Sequence, residues 1–330
     1  MNTIPTTFND SLASYTAVGG DRRAAATGLS AVILNRGGRY LRRTLFQDLA
    51  KVGFDQIVSI EGPRETWDVE ELATRFPMVR FLLLKENATV GAQINLAAAE
   101  VATERFFVLW NDLRLIQGGG AARIAERLTE AERLSSTLQT QVPARLCTVP
   151  MIQNSKFETL PTLVAPAFFR GGVKTVPFSA TREGTPSLYP FDAAGIYDKD
   201  RFVKMGGFDG SIASTYWQLM DFGFRAQLWG ESIRSTQLVK LAYDGDVPAE
   251  NATIDESYKT FYLKNLAPLY RGDCAHVPLR RFPSYLFRSG AGPMQAWEEF
   301  AEARRWVETN RFRFTCDARK VIELWETPES

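Results

Sequence analysis

Few side chains in this 330-residue chain can do chemistry. The single histidine, His276, excludes a zinc site built from several imidazoles, and a Ser/His/Asp triad would have to use that one residue. Cys147, Cys274 and Cys316 lie far apart without CxxC spacing, which suits a reducing compartment and gives no disulfide or metal-thiolate framework. Acid, base and metal work therefore falls to carboxylates. Asp112 follows the apolar run Arg105-Phe-Phe-Val-Leu-Trp110 and Asn111. Asp221 sits inside QLMDFGFRAQLWG, and Glu61 closes Gln56-Ile-Val-Ser-Ile60 before Gly62-Pro63.

The elements that must position these groups can be read from apolar runs and periods. Ser30–Leu34, Gln56–Ile60, Val79–Leu84 and Arg105–Trp110 read as buried strands, each ending in polar residues. Between them, Leu41, Leu45 and Leu49 mark one helical face, and a second helix fits Gly91 to Ala102. Alternation of this kind predicts an α/β fold, a three-layer α/β/α sandwich around a mostly parallel sheet. Ligands of such sheets bind at the carboxyl ends of the strands, where Asn35, Arg36, Glu61, Asn87 and Asp112 gather. A helix fits residues 119–138, prolines then break the chain up to Pro190, and helices return near 217–228, 255–268 and 294–308.

The expected organisation is an N-terminal arm over residues 1–27, a domain over 28–250, and a C-terminal helical extension over 251–330 packed on it. In that extension Met294, Trp297 and Ala301 share a face that either docks on the domain or meets a membrane surface. With 39 basic and 38 acidic residues the chain has no overall field for collecting nucleic acid. No apolar run approaches the ~18 residues of a membrane span.

Four segments, in order, resemble the family 2 glycosyltransferases of the type-A nucleotide-sugar-binding fold. They are AVILNRGGRYLRRTL, GAQINLAAAEVATERFFVLWND with a DxD-like end, the turn MGGFD, and QLMDFGFRAQLWG, similar to that family's acidic helix. The resemblance spans about residues 28–245. It implies transfer of a sugar from a nucleotide-diphosphate-sugar to a hydroxyl of a glycan, lipid-linked or small-molecule acceptor, with inversion and with a divalent ion, Mg2+ or Mn2+, on the diphosphate. It further implies donor contacts from Asn35, Arg36, Glu61, Asn87, Gln93, Asn95, Asn111 and Asp112, with Asp112 and His276 on the metal.

The departures from the pattern are specific. Trp110 stands in place of the first DxD carboxylate, and Gln218 and Leu219 replace the Glu-Asp pair that supplies the general base. Residues two apart on a helix are about 200° apart, so Asp221 cannot stand in for position 219, but it shares a face with Gln218. Asp221 with Gln218 in the catalytic place, or Asp221 paired with Arg225 as structure, are the two readings. Asp112 is either a metal or diphosphate contact or a strand-end cap; Asn95 is a donor contact or a bridge within the core. His276 is a ligand or a surface residue, and Tyr216 and Trp217 are a sugar platform for the acceptor or core packing. Expected, then, is a cytoplasmic glycosyltransferase, peripheral at the inner face of the membrane if the C-terminal face meets lipid. The alternative is an inactive sugar-nucleotide-binding scaffold.

Overall fold

A computed structural model describes residues 12–20, 26–36, 41–63, 68–137, 145–169 and 172–325. Expectations that fall elsewhere, including most of the arm and Pro143, lie outside the described residues. Strands β2 (Leu29–Leu34), β3 (Ile57–Glu61) and β5 (Arg105–Trp110) are buried along their whole length, as sheet strands covered on both faces must be. With β4 (Val79–Leu84) they form a parallel block in the order β4-β3-β2-β5.

The sheet extends beyond this block on both sides. Within the expected arm, β1 (Tyr15–Gly19) pairs antiparallel with β4, because the edge of β4 supplies a hydrogen-bond ladder that no side-chain period in the arm announces. After β5 the chain passes Asn111 and Asp112 into β6 (Leu113–Gln117), which lies at the far edge of the nine-stranded sheet. The gap between is filled by β10 (Gly195–Asp198), antiparallel to β5 and β7, then β7 (Arg145–Gln153) and the parallel β11 (Ser232–Tyr243). A separate hairpin pairs β8 (Leu163–Phe169) with β9 (Gly172–Phe178). The architecture is thus a mixed α/β fold with a large, mostly parallel central sheet, as the alternation predicts.

Helices α1 (Leu41–Val52), α2 (Val69–Arg75), α3 (Val90–Glu100) and α4 (Ala121–Thr137) follow the first strands. Leu45 and Leu49 are buried, on the face expected of α1. Helix α5 (Lys199–Lys204) leads into the turn Met205-Gly-Gly-Phe-Asp209, where Gly206 and Gly207 have φ of +83° and +64°, values at which a side chain is strained. Helix α6 (Thr215–Leu228) is followed beyond β11 by α7 (Glu256–Phe261), which continues as a wider turn over Tyr262–Leu266. A small ribbon of β12 (Leu269–Arg271) and β13 (Cys274–His276) leads to α8 (Phe282–Ser289), α9 (Pro293–Asn310) and α10 (Ala318–Glu323).

The face of α9 turned inward is Ala296, Phe300, Ala303 and Val307. That corrects the expected Met294, Trp297 and Ala301 face: Met294 and Trp297 are exposed, while Trp297 touches Phe282 edge-on with centroids 5.1 Å apart. Spacing alone allowed both stripes, and the four-residue step from Ala296 to Phe300 is the one that meets the core.

One ion pair fastens the MGGFD turn to the segment after α7. Lys264 bonds Asp209, and its ammonium also lies over Trp306, 5.0 Å from the ring centroid. Burial works against the Asp209 charge, but Lys264 overrides it and holds the carboxyl down at about 2. A carboxylate depressed in the folded state stabilises above its unfolded pKa and ceases to as pH falls through the folded one. The expected loss is about 2 kcal/mol between roughly pH 4 and pH 2. Denaturant unfolding across that interval should show it, and Asp209→Asn should flatten the slope; an unchanged slope would count against the pair.

Candidate active site

The carboxyl ends of β2 and β5 bring Arg36 and Asp112 together. Arg36 Nε donates to Asp112 Oδ2 at 2.9 Å and Nη2 to Oδ1 at 3.2 Å. The same guanidinium donates to Asp192, Nη1 to Oδ1 at 2.8 Å and Nη2 to Oδ2 at 2.6 Å. It lies 4.2 Å over the Trp110 ring, an arrangement that favours a cation. Asn111 Oδ1 accepts from the Arg36 backbone N–H at 3.0 Å. Burial disfavours the Arg36 charge, yet the hydrogen bonds to Asp192 and Asp112 raise its pKa well above the ordinary arginine value. Burial likewise pushes the Asp192 carboxyl up, with Arg36 pulling it down.

Asp192 precedes β10 and has a left-handed backbone, φ +55°, as does Ala193 at +57°. Its carbonyl accepts from Trp110 Nε1 at 2.8 Å and its Oδ2 from the Tyr243 hydroxyl at 2.9 Å. Nothing in the local sequence Tyr189-Pro-Phe-Asp-Ala-Ala distinguishes this aspartate. Its place is set by residues 51 and 82 positions away.

On the other side of Asp192 opens a cavity of about 500 Å3, within the range of small-molecule sites. Tyr216 and Leu219 of α6 line it, as do the hydroxyls of Ser214 and Thr215 and the carboxylates Glu250 and Asp255. Asp255 is committed to capping α7, its side chain accepting from the Tyr258 N–H. Glu250 stands at the rim, in the loop after β11. Partial loss of solvent around this exposed residue's carboxyl and the nearby Asp192 charge push it above its ordinary value, against the Tyr189 hydroxyl, which reaches both oxygens at 3.0 Å. Sequence reading misses Glu250 because the loop has no period; the only signal is an acidic residue in a polar stretch after a strand.

Several expected site residues lie elsewhere. Asp221 is fully buried: Arg225 donates to Oδ2 from Nε at 3.2 Å and from Nη2 at 2.8 Å, and Asn265 Nδ2 to Oδ1 at 2.7 Å. It has no oxygen turned to the cavity, so the reading of Asp221 as base is corrected to the Arg225 pairing. Arg225 in turn donates to the carbonyls of Met205 at 2.6 Å and Gly207 at 2.8 Å. Gln218 is buried too, accepting from Gly91 N–H and donating to Thr89 Oγ1 and the Asp209 carbonyl. Asn95 exchanges two 2.8 Å bonds with the Phe208 backbone. These residues hold the MGGFD turn against α3. The contact is so close that a Cβ on Gly91 would stand 2.5 Å from Phe208 Cβ.

Glu61 is also sequestered, bonded to Arg42, Ser59 and Asn35, while Arg42 grips Asp68 at 2.6 and 2.8 Å. The buried Glu61 orients Asn35 rather than facing a ligand itself. Asn35 Nδ2 donates to the Ile60 carbonyl at 2.7 Å, and its Oδ1 is without a partner among the described residues. Asn87 is exposed in the loop after β4, and Gln93 bonds the Ala88 carbonyl at 3.0 Å. Trp217 is core: its indole donates to the Thr253 carbonyl and stacks on Phe261 at 5.3 Å. Tyr216, by contrast, does line the cavity.

The donors for a divalent ion fit in part. Asp112 carries hard oxygens already turned to a cation, the Arg36 guanidinium, which suits Mg2+ or Mn2+ completed by diphosphate and water. His276 pairs with Leu269 in a ribbon packed on α9, and no group of three His, Cys, Asp or Glu comes together among the described residues. The expected pairing of Asp112 with His276 is therefore not a ready-made metal cluster.

No protein-family model matches the sequence, and no curated protein matches it. A solved structure does share its fold. The crystal structure of GalNAc-T7 with UDP, GalNAc and Mn2+ superposes with a TM-score of 0.54 at 12% identity, covering 90% of this chain and 57% of that one. S. aureus TarS in complex with UDP-GlcNAc aligns with a TM-score of 0.47 at 13% identity, over 83% and 71% of the two chains. The fold is the type-A glycosyltransferase fold, and this chain spans little more than half the length of the GalNAc-T7 chain.

Proposed function

We propose that this chain is a glycosyltransferase of the family 2 kind that moves a sugar from a nucleoside-diphosphate donor to a hydroxyl of a glycan, lipid-linked or small-molecule acceptor, by single displacement with inversion. The observation that carries this reading is the cavity bordered by Asp192 and Glu250, contiguous through Asp192 with the Arg36–Asp112 pair at the strand ends. Its support from outside is a fold shared with a protein crystallised with UDP, GalNAc and Mn2+.

In this reading Asn35 and Arg36, at the end of β2, meet the donor's base and diphosphate. Tyr216 forms a wall for the acceptor sugar. Leu219 lines the cavity where the family's helix carries an acid, and Glu250 reaches the same cavity from the loop after β11. Glu250 takes the proton of the acceptor hydroxyl as that oxygen bonds to the anomeric carbon. The bond from that carbon to the diphosphate breaks, and the nucleoside diphosphate leaves with its electron pair. A divalent ion, when bound, would be held by Asp112 and would neutralise charge on the departing diphosphate.

No helix among the described residues is long and apolar enough to cross a membrane. A cytoplasmic site of action with peripheral membrane contact belongs to this proposal, supported by exposed Phe287, Met294 and Trp297 on the C-terminal helices near Arg288.

Calorimetric titration with UDP-, GDP- and dTDP-sugars, with and without Mn2+, tests it. Binding of one nucleotide type, with slow donor hydrolysis, is expected. Failure of all three to bind overturns the reading, and binding with no turnover under any condition moves it to the scaffold alternative.

A further inference from the structure

Trp110 occupies the place of the first DxD carboxylate, and its indole N–H holds the backbone carbonyl of Asp192 at 2.8 Å. The residue that displaced one carboxylate thus fixes the position of another. Asp112 Oδ1 and Asp192 Oδ2 both bond a single guanidinium nitrogen, Nη2 of Arg36, at 3.2 and 2.6 Å. A positive charge therefore already sits between two carboxylates that arrive from strand ends far apart in sequence. Four hydrogen bonds, a tryptophan face and the Tyr243 hydroxyl hold that arrangement together.

From this geometry we propose that Asp192 is the second carboxylate of a divalent-ion site with Asp112, and that Arg36 is its occupant while no ion is bound. The inference deepens the glycosyltransferase reading and rests on it for the ion's purpose, but its chemistry is local. Two aspartates and one arginine carry a net charge of −1, which repels a diphosphate. With a divalent ion between the carboxylates the three side chains and the ion sum to +1, which attracts a diphosphate, and the Arg36 guanidinium is released to form a fork on phosphate oxygens. Mg2+ or Mn2+ held by two carboxylates, with phosphate and water completing the shell, is the usual pattern for such ions. The aromatic platform of Trp110 lies beside the guanidinium at 4.2 Å, so Arg36 can leave the carboxylates without losing its cation–π contact.

The test is Mn2+ binding itself, followed by the electron paramagnetic resonance of free Mn2+ on the full chain, first without nucleotide and then with UDP. Asp192→Asn and Asp112→Asn are each expected to weaken Mn2+ binding at least about ten-fold. Arg36→Gln is expected to tighten it in the absence of UDP, because the competing cation is gone, and to weaken UDP binding in the presence of Mn2+. Removing Arg36 would also help an ion held by Asp112 alone, so a gain in Arg36→Gln that the double variant Arg36→Gln/Asp192→Asn loses assigns Asp192 to the ion, whereas a gain kept in the double variant overturns the inference. Wild-type affinity in Asp192→Asn, or no gain in Arg36→Gln, overturns the inference. Mn2+ binding with these responses but no binding of UDP, GDP or dTDP would sink the donor reading and leave the ion site standing.

Discussion

Glu250→Gln is expected to reduce sugar transfer by about 10²–10⁴-fold while leaving donor nucleotide affinity nearly unchanged, the loss a general base usually supplies. The substitution keeps the shape and one acceptor oxygen for the Tyr189 hydroxyl but removes the site for a proton. Among the acidic residues lining the cavity, Asp255 is spent on a helix cap and Asp192 on Arg36, so Glu250 is the carboxylate there that is not held by a cation or a helix end. Steady-state transfer with parallel calorimetry of nucleotide binding checks the split. Full turnover in Glu250→Gln would remove Glu250 from the mechanism, and loss of nucleotide binding in step with turnover would make it a structural residue.

Asp221→Ala is expected to lower the unfolding free energy by about 3–5 kcal/mol, the cost of leaving a buried charge without its partner. Arg225 is 5% exposed and Asp221 fully buried, so solvent cannot take over. The damage should spread to the MGGFD turn, because the guanidinium that Asp221 steadies also holds the Met205 and Gly207 carbonyls. Denaturant unfolding gives the free energy, and amide exchange of Phe208 and Asp209 should speed up with it. A stable Asp221→Ala with no transfer activity would revive Asp221 as base. Replacing both partners by apolar residues should cost less than removing the aspartate alone, since no lone charge is then left inside.

The second prediction turns on an acidic helix whose sequence permitted two interpretations, and the first on Leu219 of that helix carrying no carboxylate. The 200° separation of Leu219 and Asp221 was readable from helix geometry, and it holds: Leu219 faces the cavity and Asp221 faces Arg225 and Asn265. Which of those faces met a ligand was not readable, because it depends on what α6 packs against. In the same way Gln218 and Asn95 are polar residues on helices of the kind that present groups to a donor. The turn at Phe208 to Asp209 claims them both, through bonds to residues as far as 113 positions away.

What the sequence by itself determined is local and periodic. Apolar runs ending in polar residues fixed the parallel strands, their carboxyl-end cluster and the helix between each pair, and Asn35, Arg36 and Asp112 indeed stand at those ends. The tertiary structure alone decided the pairing of charges. Arg36 and Asp192 are 156 residues apart, and no period links them. The insertion of antiparallel β10 beside β5 brings Asp192 under Trp110, and the return of β11 brings Tyr243 and the Glu250 loop to the same place. A lost motif carboxylate is visible in one dimension, whereas its replacement from a distant strand exists only once the sheet has closed up.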